Sequence, residues 1–294
     1  MAVFVVGLMV GAALGVMAGA VGMQMLVDQQ GPPLVEAKKP LLAQKAEPTQ
    51  PLLQTVKVTP GQPVVIGVFG DSMGDGLWAG LYRQLHDDKG YEVIRFSQAS
   101  TGLARYDYID IQKQTEKQLE GRRLDVAIVL FGANDEQGII ANGQVLPFAS
   151  DGWKQVYGQR IDNLTGLLRE HGAAVYWVGL PRMKRPDYDR RAGVLNSVYA
   201  ERAAALGMPF LDLVPATIND KGEYEAYLVP EGDDRPRLMR AKDGIHMTMA
   251  GYLRIARPVT DRLRADVDAA LAAAGPASVS SLASAPASPP PSGR

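Results

Sequence analysis

The chain has 294 residues, 46% of them hydrophobic and 21% charged, with a formal net charge of −1. A balance this close to neutral excludes the strong basic field of a nucleic-acid binder and any global attraction to an acidic polymer. The chain has no cysteine, which removes disulfides, thiolate nucleophiles and thiolate metal sites, and only three histidines, so neither a metal nor a cofactor is expected.

Residues 2–27 carry no charge and are long enough to span a bilayer, so 1–27 reads as a membrane anchor or a signal segment. Gly7, Gly11, Gly15 and Gly19 line one face of such a helix. That spacing allows close self-association of membrane helices, although glycines merely tolerated in an export segment would look the same. Ala18-Gly19-Ala20 has the small-x-small form of a cleavage site, but no basic residue precedes Lys38. A positive n-region is therefore missing, and the charge rule for topology gives no orientation. Residues 28–62, rich in Pro, Gln and Lys, read as a linker, and 275–294 as an Ala/Ser/Pro tail unable to supply a packed core. The folded domain is expected over 63–274.

Within that span strands and helices alternate. Val64 to Gly70 is a run of mostly β-branched residues ending in the turn Gly70-Asp71-Ser72. A helical pattern follows over Leu77 to Leu85, a strand over Glu92 to Gln98 and a polar-faced helix over Tyr108 to Leu119. Asp125 to Phe131 is the most apolar strand. Helices are expected over Trp153 to Glu170 and Tyr188 to Leu206, with strands over Ala174 to Leu180 and Pro209 to Val214. A last amphipathic helix spans Thr248 to Ala273, where Pro258 should kink or split it. Apolar strands alternating with helices imply a parallel sheet covered on both faces: a three-layer, doubly wound α/β fold, flavodoxin-like, with strand order 2-1-3-4-5. Pro215 to Lys242 breaks the rhythm as a long charged loop, with a short hairpin between Tyr224 to Val229 and Arg237 to Ala241.

Four short stretches sit just after strands or at helix starts: Gly70-Asp71-Ser72, Ser100-Thr101-Gly102, Gly132-Ala133-Asn134-Asp135 and Asp243-Gly244-Ile245-His246. In a parallel sheet the post-strand turns open on one edge, and strands one and three flank the switch point, which brings Ser72 and Asn134 to one crevice. A serine hydroxyl needs a base to take its proton, and histidine has the right pKa. A carboxylate must orient the imidazole, and Asp243 lies three residues before His246. The Ser72 and Gly102 N–H groups and the Asn134 amide could stabilise an oxyanion.

Each stretch also has a plainer account. Asp71 and Ser72 could simply cap a helix, Asn134 and Asp135 are ordinary turn formers, and a lone His246 could complement a helix end. Asp75 and Asp135 read as structural carboxylates, and His86 and His171 as residues near helix ends. Arg182, Lys184, Arg185, Arg190 and Arg191 form a basic cluster that a solvated loop explains better than an anionic substrate. Gly70-Asp71-Ser72-Met73-Gly74 also fits the Gly-x-Ser-x-Gly elbow of α/β-hydrolases. That elbow, however, follows several strands, whereas Ser72 follows one.

Taken together, the four stretches, in this order and over Val64 to Ala273, resemble the SGNH (GDSL-type) hydrolase superfamily, and more loosely its membrane-anchored periplasmic branch. The resemblance implies Ser72 as nucleophile, His246 as base, Asp243 as its orienting acid, and an oxyanion hole of Ser72, Gly102 and Asn134. It further implies a serine esterase acting on O-acyl, chiefly acetyl, esters of envelope or periplasmic carbohydrate, periplasmic or anchored facing the periplasm. An O-acyltransferase could use the same residues, and a non-catalytic envelope binding or scaffold protein is the reading from a different class. The partners expected are an acylated small molecule or glycan and the membrane, through the N-terminal segment, but no nucleic acid.

Overall fold

The computed structural model describes residues 55–274. Five strands form one parallel sheet: β1 (Val64–Gly70), β2 (Tyr91–Arg95), β3 (Val126–Leu130), β6 (Ala174–Val178) and β7 (Phe210–Leu211). Their order is β2-β1-β3-β6-β7, which, counting sheet strands alone, is the expected 2-1-3-4-5. In β1, β3 and β6 every residue is buried, so helices must cover both faces. Helices α1 (Ser72–Leu85) and α5 (Met249–Ala274) pack on each other, while α3 (Asp151–Glu170) packs against both α2 (Ile111–Leu119) and α4 (Pro186–Leu206). The edge strand β2 carries exposed Glu92 and Arg95, as an edge that must discourage further pairing should.

The contact between α1 and α5 decides where the site forms. Gly76 and Gly80, one turn apart on α1, face Tyr252 and Ala256 of α5; a Cβ on Gly80 would lie 2.6 Å from the Tyr252 carbonyl oxygen. Absent side chains let the two helix backbones approach closely. Ser72 opens α1 and His246 lies just before α5, so this packing brings their ends together.

Two expectations need correction. Pro258 does not split α5, which is continuous from Met249 to Ala274. The proline removes one helical N–H, but Ile255, Ala256, Val259, Thr260 and Leu263 around it are buried, and that packing holds both halves in one helix. The helix expected from Leu77 begins at Ser72 instead, because Asp71 caps it: the carboxylate accepts the Met73 N–H at 2.8 Å.

A further element had no counterpart in the strand pattern. Strands β4 (Ile139–Ala141) and β5 (Gln144–Leu146) form an antiparallel hairpin around Asn142-Gly143, whose φ values are 50° and 74°. Asn-Gly between short apolar runs is the sequence signal for this turn. The second hairpin is shorter than expected, pairing β8 (Tyr227–Leu228) with β9 (Arg237–Leu238). No helix among the described residues is long and apolar enough to cross a membrane. The glycine face and the apolar segment 1–27, the linker to residue 54 and the tail from residue 275 lie outside the described residues.

Candidate active site

Ser72 sits where β1 turns into α1. Its Oγ lies 2.7 Å from His246 Nε2, and His246 Nδ1 lies 2.7 Å from Asp243 Oδ2. With the Nδ1 proton directed at the carboxylate, Nε2 is left as the acceptor for the serine O–H. The other Asp243 oxygen accepts the backbone N–H groups of Ile245 and His246 at 2.9 and 3.0 Å. Burial acts to raise the Asp243 pKa, but the hydrogen bonds from the His246 ring and from these two N–H groups outweigh it, so the carboxyl lies below its ordinary value. The carboxylate thus keeps its charge while it orients the ring.

The helix cap and the hydroxyl that meets His246 belong to separate residues. Asp71, fully buried, takes the capping role and leaves the Ser72 hydroxyl to His246. Its second oxygen accepts the N–H groups of Gly132 and Ala133 at 3.0 and 2.8 Å. One carboxylate therefore ties the start of α1 to the loop after β3, two residues before Asn134. Burial, and then the charge of Asp135, push the Asp71 pKa up to about 7, against the three N–H donors that favour its ionised form.

Asn134 and Gly102 are joined through a shared segment. The Asn134 side chain donates one N–H to the Thr101 carbonyl at 2.8 Å, which leaves its second N–H available. Asp135 is buried and accepts the Leu103 and Ala104 N–H groups at 3.0 and 2.8 Å and the Tyr157 hydroxyl at 2.7 Å. A Cβ on residue 102 would strike Asp135 Oδ1, so glycine is what lets the carboxylate reach the 103–104 backbone. The backbone N–H groups of Ser72 and Gly102 have no acceptor among the described residues. The arrangement therefore supplies a hydroxyl, a base and its orienting acid, with unpaired donors on the turns after neighbouring strands, which are parts acyl transfer requires.

The remaining candidates fall outside this group. Asp75 pairs with Arg95 and accepts the Ser97 hydroxyl, joining α1 to the β2 edge. His86 and His171 follow the last residues of α1 and α3. In the basic cluster Arg182 pairs with Asp189, Arg185 pairs with Asp187, and Arg191 donates to the Glu136 carbonyl. Among the described residues no group of three or more His, Cys, Asp or Glu side chains is placed to hold a metal ion. A cavity of about 870 Å³ lies beside α5, lined by Ala216, Val229, Met239, Leu253 and Arg254 among others. Neither Ser72 nor His246 lines it, so this hollow and the Ser72–His246 pair are separate features.

The sheet order and the helices on both faces are those of the SGNH hydrolase fold. The family model described as "Protein of unknown function (DUF459)" matches residues 65–262, and the chain belongs to that family. No curated protein matches it. Among solved structures the chain is similar to a Bacteroides fragilis protein described as an acylhydrolase, at 15% identity and a TM-score of 0.50, covering 71% of this chain and 90% of that one. It is also similar to the periplasmic domain of a lipopolysaccharide acetyltransferase from Salmonella ser. Paratyphi A, at 11% identity and a TM-score of 0.50, with 69% and 84% covered. TesA aligns at 19% identity and a TM-score of 0.47 over 69% of this chain and 99% of its own. At these identities the likeness is one of fold.

Proposed function

We propose that this protein is a serine acyl-ester hydrolase working through a covalent acyl-enzyme on Ser72. The observation that carries the reading is the continuous relay from the Ser72 hydroxyl through His246 to Asp243, with 2.7 Å at each link. His246 Nε2 takes the hydroxyl proton as Oγ attacks the ester carbonyl, and the tetrahedral oxyanion is met by the Ser72 and Gly102 N–H groups and the free Asn134 N–H. The imidazolium, paired with Asp243, then gives its proton to the departing alkoxide. Water, deprotonated by His246, releases the acid and restores the serine.

The substrate class proposed is an O-acyl, chiefly acetyl, ester of envelope or periplasmic carbohydrate. Its support is the fold shared with a periplasmic acetyltransferase domain that acts on lipopolysaccharide, together with the apolar N-terminal segment. Association with the membrane, and self-association, through that segment belong to the same proposal. The acetyltransferase neighbour also favours a second reading, in which a sugar hydroxyl replaces water as the acyl acceptor. Product analysis with an acetyl-ester donor and a glycan acceptor separates the two.

Ser72→Ala should abolish p-nitrophenyl acetate hydrolysis and labelling by a fluorophosphonate while leaving the fold intact. His246→Ala should be nearly as damaging. In the same assay Asn134→Ala should lower kcat by about 10²–10³, the usual value of one oxyanion donor. Hydrolysis unchanged in purified Ser72→Ala would end the proposal. A wild type that neither hydrolyses esters nor labels would favour the non-catalytic scaffold.

A further inference from the structure

Arg240 is 2% exposed and forms no ion pair with a carboxylate among the described residues. Its Nη2 donates to the carbonyl oxygens of Gly244 and Ile245, each at 3.0 Å, and lies 3.6 Å from Met183 Sδ. Its Nε and Nη1 find no acceptor among the described residues. The guanidinium instead lies over the Tyr224 ring, 5.3 Å from its centroid. The nearby Asp243 charge favours the cation, but without a direct ion pair its burial is costly, and an apolar side chain of similar volume would fill this space at less expense. What an apolar side chain would lack is the Nη2 donor, whose two N–H bonds reach two successive carbonyls.

Those two carbonyls belong to the residues between Asp243 and His246. The same segment is also held by backbone bonds: Ala241 N–H donates to the His246 carbonyl at 2.9 Å, and Lys184 N–H to the Gly244 carbonyl at 3.2 Å. Arg240 pairs with Met247 as an isolated antiparallel bridge, so the guanidinium is anchored one residue away from the turn it grips. Asp243 and the His246 ring are half-exposed and depend on that turn for their aim.

We infer that Arg240 is a positioning residue, which holds the Asp243–His246 turn through the Gly244 and Ile245 carbonyls and so sets the imidazole against Ser72. The inference rests on the acyl-transfer reading of the site, and its test includes a measurement that needs no turnover. The proton shared between His246 Nδ1 and Asp243 should give a far-downfield NMR resonance, assigned by its loss in His246→Ala. In Arg240→Met that resonance should be lost or broadened. With p-nitrophenyl acetate kcat should fall roughly 10²-fold, the order of loss for a catalytic group displaced by about 1 Å, while KM stays near wild type. Arg240→Lys, which keeps one buried donor, should recover part of kcat and narrow the resonance. It is also the variant to read if Arg240→Met does not fold.

A wild-type resonance and wild-type kcat in whichever variant folds would overturn the inference, even if its Tm were lowered, because the arginine would then serve stability alone. If the wild type proves inert towards esters, the esterase proposal fails, and the resonance in the Arg240 variants still decides the role of Arg240.

Discussion

Asp71 and Ser72 are neighbours with opposite duties, and the difference between them comes from direction. The Asp71 carboxylate turns inward to three backbone N–H groups, and the Ser72 hydroxyl turns outward to His246. From composition both were equally good caps, and nothing local distinguishes them. The inward carboxyl has a measurable consequence. A carboxyl held at about 7 when folded contributes stability that is complete below its unfolded pKa and is lost as the pH rises through the folded one. The Tm of the wild type should therefore fall between about pH 4 and pH 8, with a shallower fall in Asp71→Asn. Identical slopes in the two proteins would mean that Asp71 is ionised throughout.

Among the secondary-structure elements, the pair α1 and α5 matters most. An alanine in place of a helical glycine ordinarily gains about 1 kcal/mol. At Gly80 the added methyl would meet the Tyr252 carbonyl oxygen at 2.6 Å, and overpacking of backbone costs about 1–3 kcal/mol. The clash should win, so Gly80→Ala should lower Tm and, by shifting the start of α5, lower kcat on p-nitrophenyl acetate as well. A stabilised variant with full activity would show that α5 can slide without moving His246. The strands and helices themselves were readable from hydrophobic period, because β1, β3 and β6 are apolar throughout and the long helices are amphipathic. The β4–β5 hairpin escaped that reading, since its strands have three residues each and too few to show a period. Its Asn142-Gly143 turn was the legible signal.

At the scale of the whole domain, most buried hydrophobic side chains among the described residues form one cluster reaching from Val56 to Val267, and Ser72, Gly102, Asn134, Asp243 and His246 all lie between those ends. A chain of residues 55–274 should therefore unfold in one cooperative transition and keep wild-type kcat on p-nitrophenyl acetate. Loss of activity in a truncated protein that still melts cooperatively would assign a working role to the flanking segments. The sheet order places the turns after β1 and β3 side by side, and α5 returns across α1 to deliver His246 from more than 170 residues further along the chain.

Residue chemistry and spacing alone determined the parallel α/β class, the four stretches and the pairing of Asp243 with His246, because each depends on a local pattern of a few residues. Tertiary structure alone decided that Asp71 rather than Ser72 caps α1, that Asp135 needs a glycine at 102, and that a buried Arg240 grips the histidine turn. These depend on which distant backbone groups a buried charge can reach, and a linear pattern carries no record of that. The serine turn was visible from the start, and its partners were fixed only when α5 closed on α1.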